Sequence, residues 1–277
     1  GSVEEVLAAV EPLEPLATRL LAADLRTADG AIDVAALSTA LPQVDALTAA
    51  LERAAQRMAA VDVAQVREPV AGAVADLERA ATDYAATLTG LSGTLAHVPG
   101  LLGADGARTW LVLLQNPAEA RGSGGFVGGY AVITADRGRL RIAEVGSSAE
   151  LNRTRIPIEA ASEDARIMWG DYLTGWNDFN LSPDFPLTAR LAVAGMKARG
   201  VDVDGVVAID PQVVAAIMAV TGPVQVDGVD VTAQNVARFF LVDEYLDFPD
   251  GAERDRVTMD VVRTVLQRAV SSTPDPR

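Results

Sequence analysis

The chain has 277 residues, 49% of them hydrophobic, which is enough for one large or two modest domains with a real core and excludes a disordered polymer. Its formal charge of -15 excludes bulk attraction to nucleic acid or anionic lipid, so any anion it binds must be met by a local cluster of cations. There is no cysteine and a single histidine, His97, which removes disulfides, thiol catalysis, thiolate or histidine-rich metal sites, and makes a Ser-His-Asp triad improbable.

Gly1-Ser2 reads as the remnant of a removed tag, with the native N-terminus lying upstream. No run approaches the ~20 apolar residues of a spanning helix. From Val3 to about Ala23 the apolar residues Val6, Leu7, Val10, Leu13, Leu16, Leu20 and Leu21 recur at helical spacing, with Glu4 and Glu5 in the first turn. A short helix near Val34–Leu41, a second over Pro42–Ala60 and a third over Pro69–Leu95 continue the pattern. Amphipathic helices of this kind need one another, so residues 3–98 are expected to form an antiparallel helical bundle or stalk. His97 precedes Pro99-Gly100 near a helix end and reads as partly exposed. Pro99-Gly100 and Gly103–Gly106 mark a boundary, after which a second, mixed α/β domain is expected over 104–272.

That domain opens on the most informative stretch. Trp110–Leu114 is an apolar run of strand length stopped by Gln115-Asn116-Pro117, and a β pattern resumes over Phe126–Ile133 after a glycine-rich loop carrying Glu119 and Arg121. Gly122, Gly124, Gly128 and Gly129, taken singly, read as residues that turn corners in a long hairpin. Asn116, Glu119 and Arg121 on one connection point to function, because loops present side chains from a rigid sheet. Asp136-Arg137-Gly138 makes a tight turn, and Arg139–Val145 alternates as a hairpin partner. Seven arginines, Arg108, Arg121, Arg137, Arg139, Arg141, Arg153 and Arg155, fall in this one part of an acidic chain. Guanidinium groups match phosphate oxygens with paired hydrogen bonds, so the concentration points to an anion site. Arg137 and Arg139 suit a solvent-facing edge strand instead, whereas Arg121, Arg153 and Arg155 in loops, together with Arg141, are the expected ligand contacts.

Ser162–Tyr172 reads as a short helix, followed by Gly175–Pro186, a segment rich in aromatics and Asn/Asp. Asn177, Asp178, Asn180 and Asp184 carry oxygen ligands of the kind Mg2+ takes, and helix capping is an equal reading for Asp178 and Asp184. Ser182 reads as a cap. Trp176, Phe179 and Phe185 suit an apolar groove or core packing equally. Val203–Ile209 is an apolar strand expected at the centre of the sheet, and Asp210-Pro211 opens a helix through Val220. Val224–Val231 makes a small hairpin about Asp227-Gly228, Thr232 caps a helix over Ala233–Val242, and Val257–Ala269 forms the last helix. The terminal TPDPR reads as a disordered end or as a point where the expressed chain was cut. The order of elements indicates an α+β or α/β fold, a mixed sheet covered by helices.

Three blocks, LLQNPAEARGSGGFVGGYAVI, WNDFNLSPDFP and VDGVVAIDPQVVAAIMAVTGPVQVDG, resemble in order and spacing the signature blocks of domain-of-unknown-function family 4012, found in membrane-anchored bacterial surface proteins. That order also distantly resembles the LytR-CpsA-Psr phosphotransferases, which move glycopolymers from polyprenyl pyrophosphate carriers onto the cell wall. The first resemblance implies an anchor upstream and an extracytoplasmic location. The second implies a LytR-CpsA-Psr-like fold and a lipid-linked glycan or other anionic cell-wall precursor as partner. Arg121 then takes the first arginine position and Arg153 or Arg155 the later one, with Mg2+ on acidic residues such as Asp178 and Asp184 and Glu119 or Asp178 as base for an acceptor hydroxyl. The chain departs from those enzymes where an Asp-Thr pair follows the first arginine, since Ser123-Gly124-Gly125 stands here. The rival from composition and loops alone is a non-catalytic cell-envelope binding module. A glycosidase ranks lowest, because no carboxylate pair can be placed at the required separation.

Overall fold

The computed structural model describes residues 2–14, 18, 25–61 and 70–271, and the chain divides into two compact units between Gly106 and Ala107. The first is helical: α1 (Ser2–Val10), α2 (Val34–Ala59) and α3 (Val70–Leu95). Asp33 caps α2 by accepting from the Ala36 N–H at 2.9 Å. Pro42 was expected to separate two helices, yet α2 runs through it. The reason is phase: Leu37, Ala40, Val44 and Ala54 are buried at spacings that keep one stripe facing α3 on both sides of the proline, outweighing its lost hydrogen bond. Glu5 of α1 binds Arg53 and Arg57 of α2 at 2.5 and 2.8 Å.

Contrary to the expectation from the sequence, α2 is long and apolar enough to cross a membrane by length and composition, with a mean hydropathy of 1.3 over its best window. Alanine supplies much of that apolarity, and the buried alanines are what let α2 and α3 approach. The expected first helix is α-helical to Val10 and tightens into a 3-10 turn over Glu11–Leu13; Glu14 and Thr18 are again helical, and the rest of its continuation towards Ala23, Pro69 and the TPDPR end lie outside the described residues.

The second unit is a mixed sheet surrounded by helices. Its strands are β1 (Arg108–Arg121), β2 (Gly124–Asp136), β3 (Arg139–Ser147) and β4 (Gly205–Ile209), in the order β3-β2-β1-β4. The first three are antiparallel neighbours and β4 runs parallel to β1. β4 is therefore an edge strand, not the central one its apolar sequence suggested. It is apolar because helices pack near it on both sides, α5 (Phe185–Ala198), which follows the short helix α4 (Glu163–Trp169) expected near Ser162–Tyr172, and α6 (Pro211–Thr221).

Pleating sends alternate residues into two cores. Leu111, Leu113, Tyr130 and Val132 pack with Leu187, Leu191 and Met196 of α5, while Val112 and Ala131 meet Val214, Met218, Phe240 and the last helix, α7 (Gly251–Ser271). Trp176 and Phe179 are fully buried in the first core as an edge-to-face pair 5.2 Å apart, so the aromatics of the WNDFN segment are core packing and do not line a groove. Arg137-Gly138 and Asp227-Gly228 both adopt positive φ, the two-residue turns expected, the second joining β5 (Val224–Val226) to β6 (Val229–Val231).

Candidate functional site

β1 does not stop at Gln115-Asn116-Pro117, as its sequence suggested, but continues to Arg121 by way of a bulge. Asn116 pairs with Phe126 and Ala120 with Gly125, leaving Pro117, Ala118 and Glu119 without partners across the hairpin. Proline survives there because its missing N–H would have had nothing to bond. Asn116 Oδ1 accepts from the Ala118 N–H at 2.9 Å, which fixes the kink. Two glycines of the hairpin permit close backbone approach: a Cβ on Gly122 would overlap the Leu181 carbonyl, and one on Gly125 the Asn116 carbonyl. Gly124 alone of the hairpin glycines needs a positive φ, +128°.

The bulge sits over a cleft of about 440 Å³ outside the carboxyl ends of the parallel pair β1 and β4, where open α/β sheets place their ligands. Leu114, Asn116 and Glu119 line it from β1, Ile209 from β4, Asp210 from the N-cap of α6, Asn152 and Asn177 from the connecting loops, and Phe240, Glu244, Tyr245, Arg254, Asp255 and Thr258 from the C-terminal helices. Asn152 donates to Asn177 Oδ1 at 2.6 Å, joining the two loops. The Tyr245 hydroxyl donates to Glu119 Oε1 and accepts from Asn116 Nδ2, both at 3.3 Å, clasping the bulge to the helices.

Glu244 is the most perturbed carboxyl of the cleft. It is 7% exposed, and burial pushes its pKa up to about 7 against the lowering effect of the Thr258 hydroxyl and the Arg254 charge. The Thr258 hydroxyl donates to its Oε2 at 2.5 Å. Burial also raises Asp255 and the Tyr245 phenol. Arg254 lies over the Tyr245 ring, 4.6 Å from its centroid. Glu244 and Tyr245 directly follow a π-helical turn, Phe239–Asp243, in a helical run from Val236 to Asp247; the expected helix Ala233–Val242 thus starts later, continues further and widens midway.

Of the residues singled out from sequence, Asn116, Glu119 and Asn177 line the cleft. Arg121 does not. Its Nε lies 3.3 Å from Asp178 Oδ1, its guanidinium packs over Phe126, and it donates to the carbonyls of Glu119 and Ala120. Arg155 donates to the Thr174 hydroxyl, Arg153 is exposed, and Arg141 lies on the exposed side of the edge strand β3. Asn180 is fully buried and donates to the Gly125 carbonyl at 2.8 Å, which makes it a brace for the hairpin. Asp184 stands at the N-cap of α5, 3.9 Å from Arg190, and Ser182 accepts from its N–H at 3.1 Å. Among the described residues no three His, Asp or Glu side chains stand where a metal ion could be held.

Residues 105–245, slightly more than half of the chain, match the family model DUF4012, described as a protein of unknown function. The chain belongs to the DUF4012 family. No curated protein and no solved structure matches it. The DUF4012 match begins just before β1 and ends at Tyr245, so it takes in the bulge, the parallel pair and the residues after the π turn, while Arg254, Asp255 and Thr258 of α7 lie beyond it.

Glu244, Tyr245, Arg254 and Asp255 were not singled out from sequence. They occupy the segments VDEYLD and ERDRV, whose charge pattern is that of any solvated helix face. No short-range signal marks them, because the buried position of Glu244 is created by β1 and α7 closing over it.

Proposed function

We propose that the mixed α/β unit is a cell-envelope binding module, on the extracytoplasmic face of the membrane, that holds a hydroxyl-rich glycan in the cleft at the ends of β1 and β4. The observation that carries this reading is the lining: Glu119, Asp210, Glu244 and Asp255 against Arg254 alone, with Asn116, Asn152 and Asn177 between them. Carboxylates accept from sugar hydroxyls, and amides both donate and accept. A pyrophosphate would meet like charge here. Even the N-terminus of α6, which opens on the cleft, is closed to anions, because Asp210 accepts from the Gln212 and Val213 N–H groups at 3.0 Å.

A second reading, a LytR-CpsA-Psr-like phosphotransferase acting on a polyprenyl pyrophosphate-linked glycan with Mg2+, is favoured by one observation. Arg121 and Asp178 meet at 3.3 Å beside the loops that carry Arg153 and Arg155. The donor set does not suit the metal, since Asp178 faces Arg121 and Asp184 faces Arg190, so no step is routed through one. Retention of the chain on purified bacterial cell walls, before and after removal of phosphate-bearing polymers, separates the two. The binding-module reading expects retention on the stripped walls, weakened several-fold by Tyr245→Phe and unchanged by Arg121→Ala. Retention only on unstripped walls and its loss with Arg121→Ala would favour the phosphotransferase reading.

A further inference from the structure

The helix α3 carries two apolar seams, and the fold of the helical unit uses one. Ala81 and Ala85 are buried on the side that packs against α2, and Leu88 and Leu95 of the same stripe are half-buried. Val70, Leu77, Tyr84 and Leu91 turn another way: each is between 45% and 65% exposed, and nothing among the described residues covers them. They recur at a strict spacing of seven residues. Set at the a positions of a heptad, they place Ala73, Ala80 and Thr87 at the d positions between them. The Thr87 hydroxyl donates to the Asp83 carbonyl of its own helix at 2.9 Å, which leaves the methyl group as what this residue offers a neighbour. A seven-residue period sustained along a helix keeps its seam in line only when that helix winds around a partner. A row of large apolar side chains of this length also exceeds what a soluble monomer usually exposes in one place.

The sizes along the seam decide what fits it. In a parallel pair of such helices, like positions meet, so Tyr84 would face Tyr84 in one layer and Ala80 would face Ala80 in another, alternately crowded and empty. Reversing one helix brings a positions opposite d positions. Tyr84 then meets Ala80 of a second copy, Leu77 meets Thr87 and Leu91 meets Ala73, so the whole seam is complemented by its own reversed sequence. We infer that this protein pairs with a second copy of itself through an antiparallel, two-fold contact of α3 with α3. Such a contact buries the same patch on both copies. The exposed side chains of the seam amount to roughly 500 Å² on each, or about 1,000 Å² for the pair, the lower bound for a specific interface. The Asp83 residues of the two copies flank the two-fold axis, and their like charge keeps the association in the micromolar range. An anionic bilayer is the poorer cover, because Asp76 and Asp83 border the seam on a chain of charge -15.

Sedimentation velocity on the full chain tests this, over concentrations from about 1 to 100 μM. The apparent mass should rise towards twice that of one chain. Leu77→Glu and Tyr84→Glu should each weaken the dimer at least tenfold, and both residues are exposed, so the far-UV circular dichroism of the monomer should not change. Orientation is read separately. The chain has no cysteine, so Asp83→Cys supplies one thiol, which meets its counterpart across the two-fold axis only when the helices are antiparallel. Oxidation should then give disulfide-linked dimers, while Thr82→Cys, on the side of α3 away from the seam, should stay unlinked. Monomers across the whole concentration range, a dimer indifferent to both glutamates, or a dimer in which Asp83→Cys links no better than Thr82→Cys overturns the proposal.

Discussion

Replacing Glu244 by glutamine should make the second unit more stable, and only above the acidic range. In the unfolded chain this carboxyl ionises near 4.5, and in the folded one burial holds its pKa near 7. A carboxyl raised by folding is favoured in its neutral form. Its contribution is therefore full below about pH 4.5 and is lost as pH rises through about 7. At about 1.4 kcal/mol per pH unit the whole interval is worth about 3 kcal/mol, and water entering the cleft reduces this to roughly 2 kcal/mol. Glutamine keeps an acceptor for the Thr258 hydroxyl and cannot ionise, so the variant escapes the loss. Urea unfolding of both proteins at pH 5 and pH 8 is the assay. At pH 5 they should agree to within about 1 kcal/mol; at pH 8 the variant should lead by roughly 2 kcal/mol, some 5 °C in Tm. A gap of the same size at both pH values, or a variant that is the weaker at pH 8, would refute the assignment of a buried, proton-holding carboxyl.

Gly122→Ala should cost several kcal/mol, because the new methyl overlaps the Leu181 backbone, which cannot swing aside; calorimetric Tm reads the loss, and a change below about 1 kcal/mol would show that the hairpin tip relaxes. Asp210→Ala should cost about 1 kcal/mol in urea unfolding, the value of a helix cap, and should free the N-terminus of α6, so that inorganic phosphate begins to raise its Tm. A fragment starting at Leu101 should unfold in a single cooperative transition, since the cores on both faces of the sheet are built from residues beyond it; a broad, non-cooperative melt would show that the helical unit completes them.

Much of the architecture was legible because it depends on local pattern. The helical stripes, the strand-like run at Trp110, the two glycine turns at positive φ and the Asp210 cap each rest on residues near one another in the chain. Pro42 and Pro117 misled for one reason. A proline marks a break only when nothing longer in range overrules it, and here a stripe kept in phase and a bulge with no bonds to lose did so. The site was half legible. Asn116, Glu119 and Asn177 line the cleft, but Arg121 is committed to Asp178 and Phe126, and the aromatics at Trp176 and Phe179 belong to the core. The acidic groups facing the bulge come from helices more than a hundred residues later, where only the closed fold turns an ordinary helix face into a floor.

The bulge in β1 has a consequence for how such a site can change. Inserting one residue into a regularly paired strand turns every later side chain to the opposite face of the sheet. Between Asn116 and Ala120 that constraint is suspended, because Pro117, Ala118 and Glu119 answer to no residue on β2. Lengthening or shortening this stretch leaves Leu111 and Leu113 inward on one side and Gly125 against its backbone neighbour on the other. The mouth of the cleft is thus a place where chain length itself can serve as the variable that tunes ligand size, with the sheet beneath it undisturbed.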